Sequence, residues 1–315
     1  MRHLLIVMLS VIITGNIHCQ QIPLSKEYFV NSYAISPAYA GINGGFEAFF
    51  QARKNFMGQV NSPEINKLSV NGSVFNHVGV GLNLLEYRRG VFKTLNLETS
   101  YSYQILIKEE HIISFGLSAI LINNRIDLAS IDDLGDDPYF NFESDFGSTN
   151  VNFGTGIAYL YKGLRLGITA PLLLKNKVKN NDQVVFNSYS TIGWHAGYVI
   201  RLKEFSLYPM ISSHHFFDYN YWEGSILCQI RNTVWGGLSF GKNKSVGICL
   251  GGSPIDNVII NYSYELSSNL AKSAYSGSHE LNVGILINKN RRYTHQTVSM
   301  FKAYKKQPYH MLLEK

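Results

Sequence analysis

The feature that most constrains this chain is a strict alternation of apolar and polar residues over stretches longer than the strands of soluble sheets. Residues 95–107 carry leucine, tyrosine or isoleucine at nearly every odd position, while Asn96, Glu98, Ser100 and Gln104 lie between them. Because successive side chains of a strand point to opposite faces, this pattern predicts one apolar and one polar face. A membrane-spanning strand needs about 9–11 residues, whereas strands of soluble proteins most often have about five or six.

The same alternation recurs along the chain and predicts fourteen strands, with small and polar residues facing a lumen. They are expected near residues 45–53, 64–75, 77–87, 94–107, 111–123, 149–161, 164–173, 189–202, 205–213, 220–230, 233–240, 245–253, 256–264 and 278–288. An even number of strands is the rule in single-chain bacterial barrels. The predicted fold class is all-β, a single transmembrane antiparallel up-and-down β-barrel of about fourteen strands with an N-terminal signal peptide.

The predicted connections alternate in length. Those after even-numbered strands are tight, and several after odd-numbered strands are long, above all residues 124–148, 174–188 and 265–277. Outer-membrane barrels join their strands by short periplasmic turns and longer extracellular loops. We therefore expect the chain in the cell outer membrane, with both termini in the periplasm and outer-membrane lipid around the apolar face.

The first residues indicate an export signal. Arg2 and His3 precede an apolar stretch at residues 4–13 that is too short to span a bilayer. Cys19 raises the alternative of a lipoprotein, but His18 stands where processing favours a small residue, so we expect a mature start at Gln20. The expected divisions are residues 1–19, a signal peptide; 20–44, an N-terminal periplasmic or plug segment; 45–288, the outer-membrane β-barrel; and 289–315, a basic periplasmic tail.

The charge distribution argues against a nucleic-acid partner. The formal net charge is +6, but residues 289–315 hold seven lysines and arginines against Glu314 alone, so the body of the chain is close to neutral. A basic nucleic-acid surface on the folded part is therefore unsupported. The tail could attract anionic lipid, a peptidoglycan-linked polymer or an acidic periplasmic protein, or could simply be solvated.

One segment matches a catalytic motif. Residues 237–241 have the sequence G-x-S-x-G of the hydrolase nucleophile elbow, whose serine must sit on a sharp turn between a strand and a helix. Ser239 instead falls at the end of a predicted strand that leads into another strand. We therefore predict that the chain is not an enzyme and has no catalytic residue.

The histidines, cysteines and clustered aspartates do not predict a metal site or a disulfide bond. His214 and His215 are adjacent and would face opposite sides of an extended chain, so they cannot share one metal. Cys228 and Cys249 fall on strands two apart, about 9.6 Å, which exceeds the roughly 7 Å limit for a disulfide. An acidic cluster in the longest loop could bind calcium, but its spacing does not fit an EF-hand loop and favours a solvated loop. Its members are Asp132, Asp133, Asp136 and Asp137. No metal or cofactor is predicted.

Several short segments, in order along the chain, resemble one known family. Residues 37–41 resemble its N-P-A-Y-A-G segment, with Ser36 in place of the usual asparagine, and Phe56 stands where the family has tryptophan. The positions that carry the resemblance are Pro37, Ala38, Tyr39, Ala40, Gly41, Arg53, Phe56, Gly58, Pro63, His279 and Glu280. On these residues the chain resembles the PorP/SprF family of type IX secretion system outer-membrane proteins of gliding and secreting Bacteroidetes.

The resemblance implies a non-enzymatic component of type IX secretion, a docking barrel for export or surface attachment of cargo such as adhesins with a C-terminal sorting domain. Its partners would be other secretion components and the cargo. The long loops would hold cargo, while residues 20–44 and the tail would face periplasmic partners. The candidate cargo-contact residues are Asp132, Asp133, Asp136, Asp137, Pro138, Tyr139 and Phe140.

Two other functions fit the same pattern. A diffusion porin would share the barrel, and fourteen strands lie between filled eight-stranded and open sixteen-stranded barrels. An outer-membrane hydrolase, a weaker alternative, would use His214, His215 and the aspartates of the long loop near the barrel rim.

Overall fold

The strands of this protein form one closed antiparallel barrel. The computed structural model describes residues 25–107, 111–127, 147–180, 183–216, 219–230, 233–242, 244–255, 257–266 and 277–287. Wall strands that follow one another in the chain pair with one another, and the first strand pairs with the last to close the sheet. No helix among these residues is long and apolar enough to cross a bilayer.

Seventeen strands and three 3₁₀ helices make up the described part of the chain. The helices are Glu27–Phe29, Ser32–Ala34 and Pro37–Tyr39. The strands are β1 (Phe46–Lys54), β2 (Glu64–Phe75), β3 (Val78–Arg89), β4 (Phe92–Ile107), β5 (His111–Ile126), β6 (Gly147–Tyr161), β7 (Leu164–Leu172), β8 (Asn176–Asn180), β9 (Gln183–Ser188), β10 (Thr191–Tyr198), β11 (Ile200–Arg201), β12 (Phe205–Phe216), β13 (Tyr219–Ile230), β14 (Val234–Gly241), β15 (Val246–Gly252), β16 (Val258–Leu266) and β17 (Ser278–Ile287).

Across the described residues, the wall has fourteen strands, as the alternation predicted. β10 and β11 are two parts of one wall strand, interrupted at Val199, and both pair with β12. β8 and β9 pair only with each other, as a separate hairpin inside the predicted loop 174–188. The sequence did not predict this hairpin because its residues are mostly polar and show no regular alternation.

The apolar faces of the wall point outward and the polar faces point into the lumen. In β5, Leu117 is 62% exposed, whereas Ser114 is completely buried. In β4, Tyr101 and Tyr103 lie outside, and Ser102 between them is buried. A continuous outward apolar surface of this kind matches the lipid-facing band of a transmembrane barrel, so the predicted all-β antiparallel barrel is confirmed. The predicted signal peptide, residues 1–19, lies outside the described residues.

The two rims of the barrel differ. At one rim, which we call the short-turn end, tight turns follow β2, β6 and β15, and β1 begins where β17 ends. The turn after β6 consists of Lys162 and Gly163, both with positive φ (44° and 95°), the conformation that two-residue hairpins favour. The opposite rim, the long-loop end, carries the connections after β1, β5, β7 and β16.

The two described cysteines do not pair. Cys228 lies on β13 and Cys249 on β15, with β14 between them, and both are free. The prediction from strand spacing is confirmed. Cys249 is buried and packs in an apolar cluster with Trp235 and Leu227.

Candidate functional site

Residues 25–45, which we call the lumenal segment, lie inside the barrel. The segment starts in the long-loop half, where Ser25 donates a hydrogen bond to Glu280 (3.4 Å), near the long-loop end of β17. It finishes in the short-turn half, where the Gly41 amide donates to Asn71 Oδ1 (3.0 Å). Ala38 and Ala40 have no exposed surface. The segment therefore runs down the lumen before β1 turns back into the wall.

Small wall residues make room for this segment at the short-turn half. A Cβ placed on Gly116 would overlap the backbone of Ala38, and one placed on Gly79 would overlap the carbonyl of Ala40. Ser102 Oγ donates to the Ala40 carbonyl at 2.7 Å, and Ser114 Oγ donates to the Ala38 carbonyl at 2.6 Å. The glycines admit the backbone, and the serines satisfy its buried carbonyls.

The family-motif residues 37–41 form the turn at the base of the segment. Ser36 Oγ accepts from the Ala38 amide (3.3 Å) and so caps the 3₁₀ helix Pro37–Tyr39. Gly41 has a φ of +64°, and its backbone lies against Gly72. A side chain at Gly41 would be strained by that φ and would also collide with Gly72.

Two tyrosines fasten the segment to lumenal side chains. The Tyr33 hydroxyl donates to Ser100 Oγ (2.8 Å), and the Tyr39 hydroxyl hydrogen-bonds His195 Nε2 (2.6 Å). Both side chains are buried, with Tyr33 3% and Tyr39 2% exposed.

A cluster of five charged side chains holds the start of the segment; we call it the rim charge cluster. Its members are Lys26, Arg53, Glu223, Glu265 and Glu280. Lys26 pairs with Glu223, and Arg53 bridges Glu265 (2.8 Å) and Glu280 (2.9 Å). The Lys26 backbone amide also donates to Glu280 (2.9 Å). Since the side chains of both cations are at most 5% exposed, these carboxylates compensate charges that have lost most of their water.

A second ion pair is made by the next residue of the segment, Glu27. Glu27 accepts from Lys67 Nζ (2.9 Å) and from Asn31 Nδ2 (2.7 Å), and Asn31 also donates to Ser69 (2.9 Å). Asn31 and Glu27 are almost completely buried. The lumenal segment is thus bound to β2 by charge and to β4 and β5 by neutral hydrogen bonds.

A cavity of about 370 Å³ lies between the lumenal segment and the long-loop end. The segment contributes Glu27, Tyr28 and Tyr33 to its wall, and the β8–β9 hairpin contributes Phe186. Phe186 is buried and packs edge-on against Phe92, with 5.9 Å between ring centroids. The hairpin therefore folds over the lumen instead of extending away from the barrel.

The remaining family-motif positions lie around the long-loop end. Arg53 and Glu280, far apart in sequence, form the ion pair described above. His279 lies on the outer side and hydrogen-bonds Tyr262 (2.6 Å). Phe56 and Gly58 have positive φ values of 53° and 101° in the β1–β2 connection, where Pro63 accepts a backbone hydrogen bond.

The candidate cargo-contact residues lie outside the described residues, as does the basic tail. This applies to Asp132, Asp133, Asp136, Asp137, Pro138, Tyr139 and Phe140. Their roles stay predictions.

The G-x-S-x-G motif does not lie on the strand-to-helix turn that a nucleophile elbow requires. Residues 237–241 lie within β14, and the buried Ser239 faces the lumen. His214 packs beside Gly193 in the lumen, whereas His215 points to the outer face. Among the residues that the structure describes, no group of three or more His, Cys, Asp or Glu is arranged to hold a metal ion.

Sequence reasoning did not single out Lys26, Glu223 or Glu265. Glu223 and Glu265 are the only charges on their strands, and Lys26 stands beside Glu27 in a segment with no other charge. An acidic residue on the lumenal face of a barrel strand can equally face water, so the cation it meets is visible only in the closed barrel.

The family assignment rests on a match over most of the chain. The profile of the type IX secretion system membrane protein family PorP/SprF matches residues 17–285. The chain belongs to the PorP/SprF family. This is a family of secretion-system membrane proteins and not an enzyme family, and the family predicted from the sequence is confirmed.

The barrel also resembles solved outer-membrane proteins. Omp33 of Acinetobacter baumannii has a TM-score of 0.48 at 7% identity, covering 78% of this chain and all of its own. The toluene transporter TbuX of Ralstonia pickettii gives 0.47 at 10% identity, covering 80% of this chain and 90% of its own. The toluene transporter TodX of Pseudomonas putida gives 0.46 at 9%, covering 85% and 94%. A search of curated proteins found no match. The family assignment, together with the closed sheet and its outward apolar face, identifies this PorP/SprF member as an outer-membrane β-barrel.

Proposed function

We propose that this PorP/SprF barrel docks exported cargo at its long-loop end and does not conduct solutes. The observation that carries the proposal is the lumenal segment, which fills the short-turn half of the lumen. A diffusion porin needs a continuous aqueous path, and Ala38 and Ala40 lie without exposed surface across that path.

The lumenal segment is held too firmly for a solute to displace it. Its buried carbonyls at Ala38 and Ala40 accept hydrogen bonds from the wall, and Lys26 and Glu27 are paired with wall charges. Removing the segment would leave Glu223 and Lys67 without their ion-pair partners. Leaving the lumen would therefore break ion pairs that are buried only while the segment is in place, which favours a permanently filled lumen.

In this proposal the long-loop end faces the cell exterior and the short-turn end faces the periplasm. The connections at residues 128–146 and 267–276 would contact cargo that carries a C-terminal sorting domain. β17 ends at the short-turn rim, so the basic tail at residues 289–315 would start on the periplasmic side, where other secretion components are available.

Affinity isolation of the tagged full-length protein from outer membranes, followed by mass spectrometry, tests the proposal. We expect type IX components and an exported surface protein to be retained. The same preparation should give no channel steps in a planar bilayer. Recovery of the barrel alone, together with channel activity, would establish the porin instead.

A further inference from the structure

Among the residues that the structure describes, the wall of the barrel has a strand edge at its long-loop end that no neighbouring strand covers. β6 pairs with β5 along its whole length, from Gly147 to Tyr161, but its pairing with β7 begins only at Thr155. Beyond the contact of Phe153 with Leu173, no described residue pairs with the backbone of residues 147–151 on that side, and only a weak contact from the Asn176 side chain reaches Val151. We call residues 147–151 the β6 edge.

Local chemistry explains why β7 stops short. Pro171 lacks an amide hydrogen, and the pairing of β7 with β10 shifts register beside it. Beyond β7, the Asn152 side chain binds the backbone of the next two residues. Its Oδ1 accepts from the amides of Leu173 (3.1 Å) and Leu174 (3.0 Å), and its Nδ2 donates to the Leu174 carbonyl (2.8 Å). Asn152 faces the lumen with no exposed surface, so these bonds direct the following β8–β9 hairpin over the lumen instead of along the β6 edge as a wall strand.

The exposed groups alternate along the β6 edge. The Phe153 carbonyl accepts from the Leu173 amide on the side of β7. Since the backbone groups of every second residue in a strand point to the same side, the amide and carbonyl groups of Thr149 and Val151 point to the open side as well. The residues between them, such as Asn150, bond to β5. The open edge is therefore a row of main-chain donors and acceptors with the spacing of a β-strand.

The β6 edge lies near the outer boundary of the apolar surface. On the outside of β5 and β6, Leu121 and Val151 are apolar, whereas Asn123 and Thr149, one step higher, are polar and hydrogen-bond each other (2.8 Å). Unpaired backbone groups are not tolerated in contact with hydrocarbon, but at this height water or another polypeptide can reach them.

We propose that the β6 edge binds an extended segment of the exported cargo by β-strand addition. This inference rests on the docking function proposed above and names the contact that performs it. An open strand edge is satisfied best by another extended backbone, and proteins use such edges for peptide recognition. The β6 edge of a second copy in the same membrane could not add to this edge as a strand. Wall strands are tilted by about 40°, so two copies related by a twofold axis along the membrane normal would bring these strands together at a crossing angle of roughly 80°, too steep for pairing.

Proline substitution at the edge tests the proposal. Thr149→Pro removes a donor from the open side and puts a ring in the path of an added strand, while the amides that bond to β5 remain. Thr149→Val is the matched control, since it keeps the amide and changes the same side chain. We expect T149P to lower the amount of exported protein isolated with the tagged full-length barrel by about tenfold, and T149V to leave it unchanged.

Hydrogen exchange on the wild-type complex supplies a second measurement that needs no variant. The amides of residues 149 and 151 should exchange fast in the barrel alone and slowly once cargo is bound.

The proposal is overturned if T149P isolates as much cargo as the wild type, if T149V loses cargo equally, or if these amides are already protected without cargo. Each of these results leaves the docking function standing. Failure of the wild-type barrel to retain any cargo would instead overturn the docking function itself.

Discussion

Lys26 shows how a single buried charge fixes the lumenal segment. Its side chain is 3% exposed and pairs with Glu223, which is 4% exposed. Replacing it by methionine keeps the volume but leaves Glu223 without its cation. Breaking a buried ion pair in this way costs about 3 kcal/mol or more. We expect Lys26→Met to lower the midpoint of thermal unfolding of the barrel, followed by heat-dependent electrophoretic mobility.

A matched surface pair provides the control for Lys26. Lys54 and Glu64 pair at 2.6 Å with side chains 47% and 38% exposed. An exposed pair contributes at most about 1 kcal/mol, so Lys54→Met should barely move the midpoint. Equal effects of the two substitutions would show that the rim charge cluster does not stabilise the fold. The double variant Lys26→Met/Glu223→Gln should recover part of the loss, because it removes the uncompensated charge.

Gly116 tests whether the lumenal segment needs small wall residues. A valine there would collide with the Ala38 backbone, which cannot move without breaking the bond from Ser114. We expect Gly116→Val to loosen the segment, and limited proteolysis should then cleave within residues 25–45. Gly224→Val is the control, since a Cβ at Gly224 meets nothing within 4 Å. Protection of the segment in G116V would contradict the packing described here.

At this scale the sequence predicted the direction of side chains but not their partners. Alternation placed the polar face of residues 95–107, which includes Ser102, toward the lumen and the face with Tyr101 outside. It could not predict that Ser102 and Ser114 bind the backbone of residues 38–40, because these contacts join parts of the chain more than 60 residues apart. Glu280 was noted through family resemblance, and its pairing with Arg53 appears only once the first and last strands meet.

Among the elements, the β8–β9 hairpin depends on Asn152 for its position. That side chain makes three hydrogen bonds to Leu173 and Leu174, and each contributes about 0.5–1.5 kcal/mol. We expect Asn152→Ala to release the hairpin and to speed amide exchange across residues 173–188. Asn150→Ala, two residues away on the same lumenal face, is the control. Unchanged exchange in N152A would mean that the packing of Phe186 against Phe92 suffices.

The hairpin also marks the limit of sequence-based prediction for elements. The fourteen wall strands were predicted because each has a lipid-facing side that must be apolar. β8 and β9 form a separate sheet over the lumen and are not part of the lipid-facing wall, so Lys177 and Asn187 are tolerated and the period-two signal is absent. For the lumenal segment, the sequence predicted a periplasmic or plug segment at residues 20–44 but no element within it, because its short 3₁₀ helices leave no regular apolar pattern.

For the whole molecule, the decisive property is whether the lumen conducts. Fourteen strands enclose a barrel wider than the eight-stranded barrels that side chains alone can fill, so an additional chain segment is needed to close it. Here residues 25–45 provide that segment, and they are joined covalently to β1. The barrel should therefore be closed on its own, without any partner.

Removal of residues 25–42 should accordingly turn the closed barrel into a channel. We expect discrete conductance steps in planar bilayers for this deletion and none for the wild type. The wall strands should still form, because their pairing from β1 to β17 does not use the deleted residues. Truncation of residues 289–315 is the control, since it leaves the lumenal segment in place and should not conduct. Steps from the wild type would mean that the lumenal segment does not seal the barrel, and a silent deletion variant would mean that another part of the chain closes it.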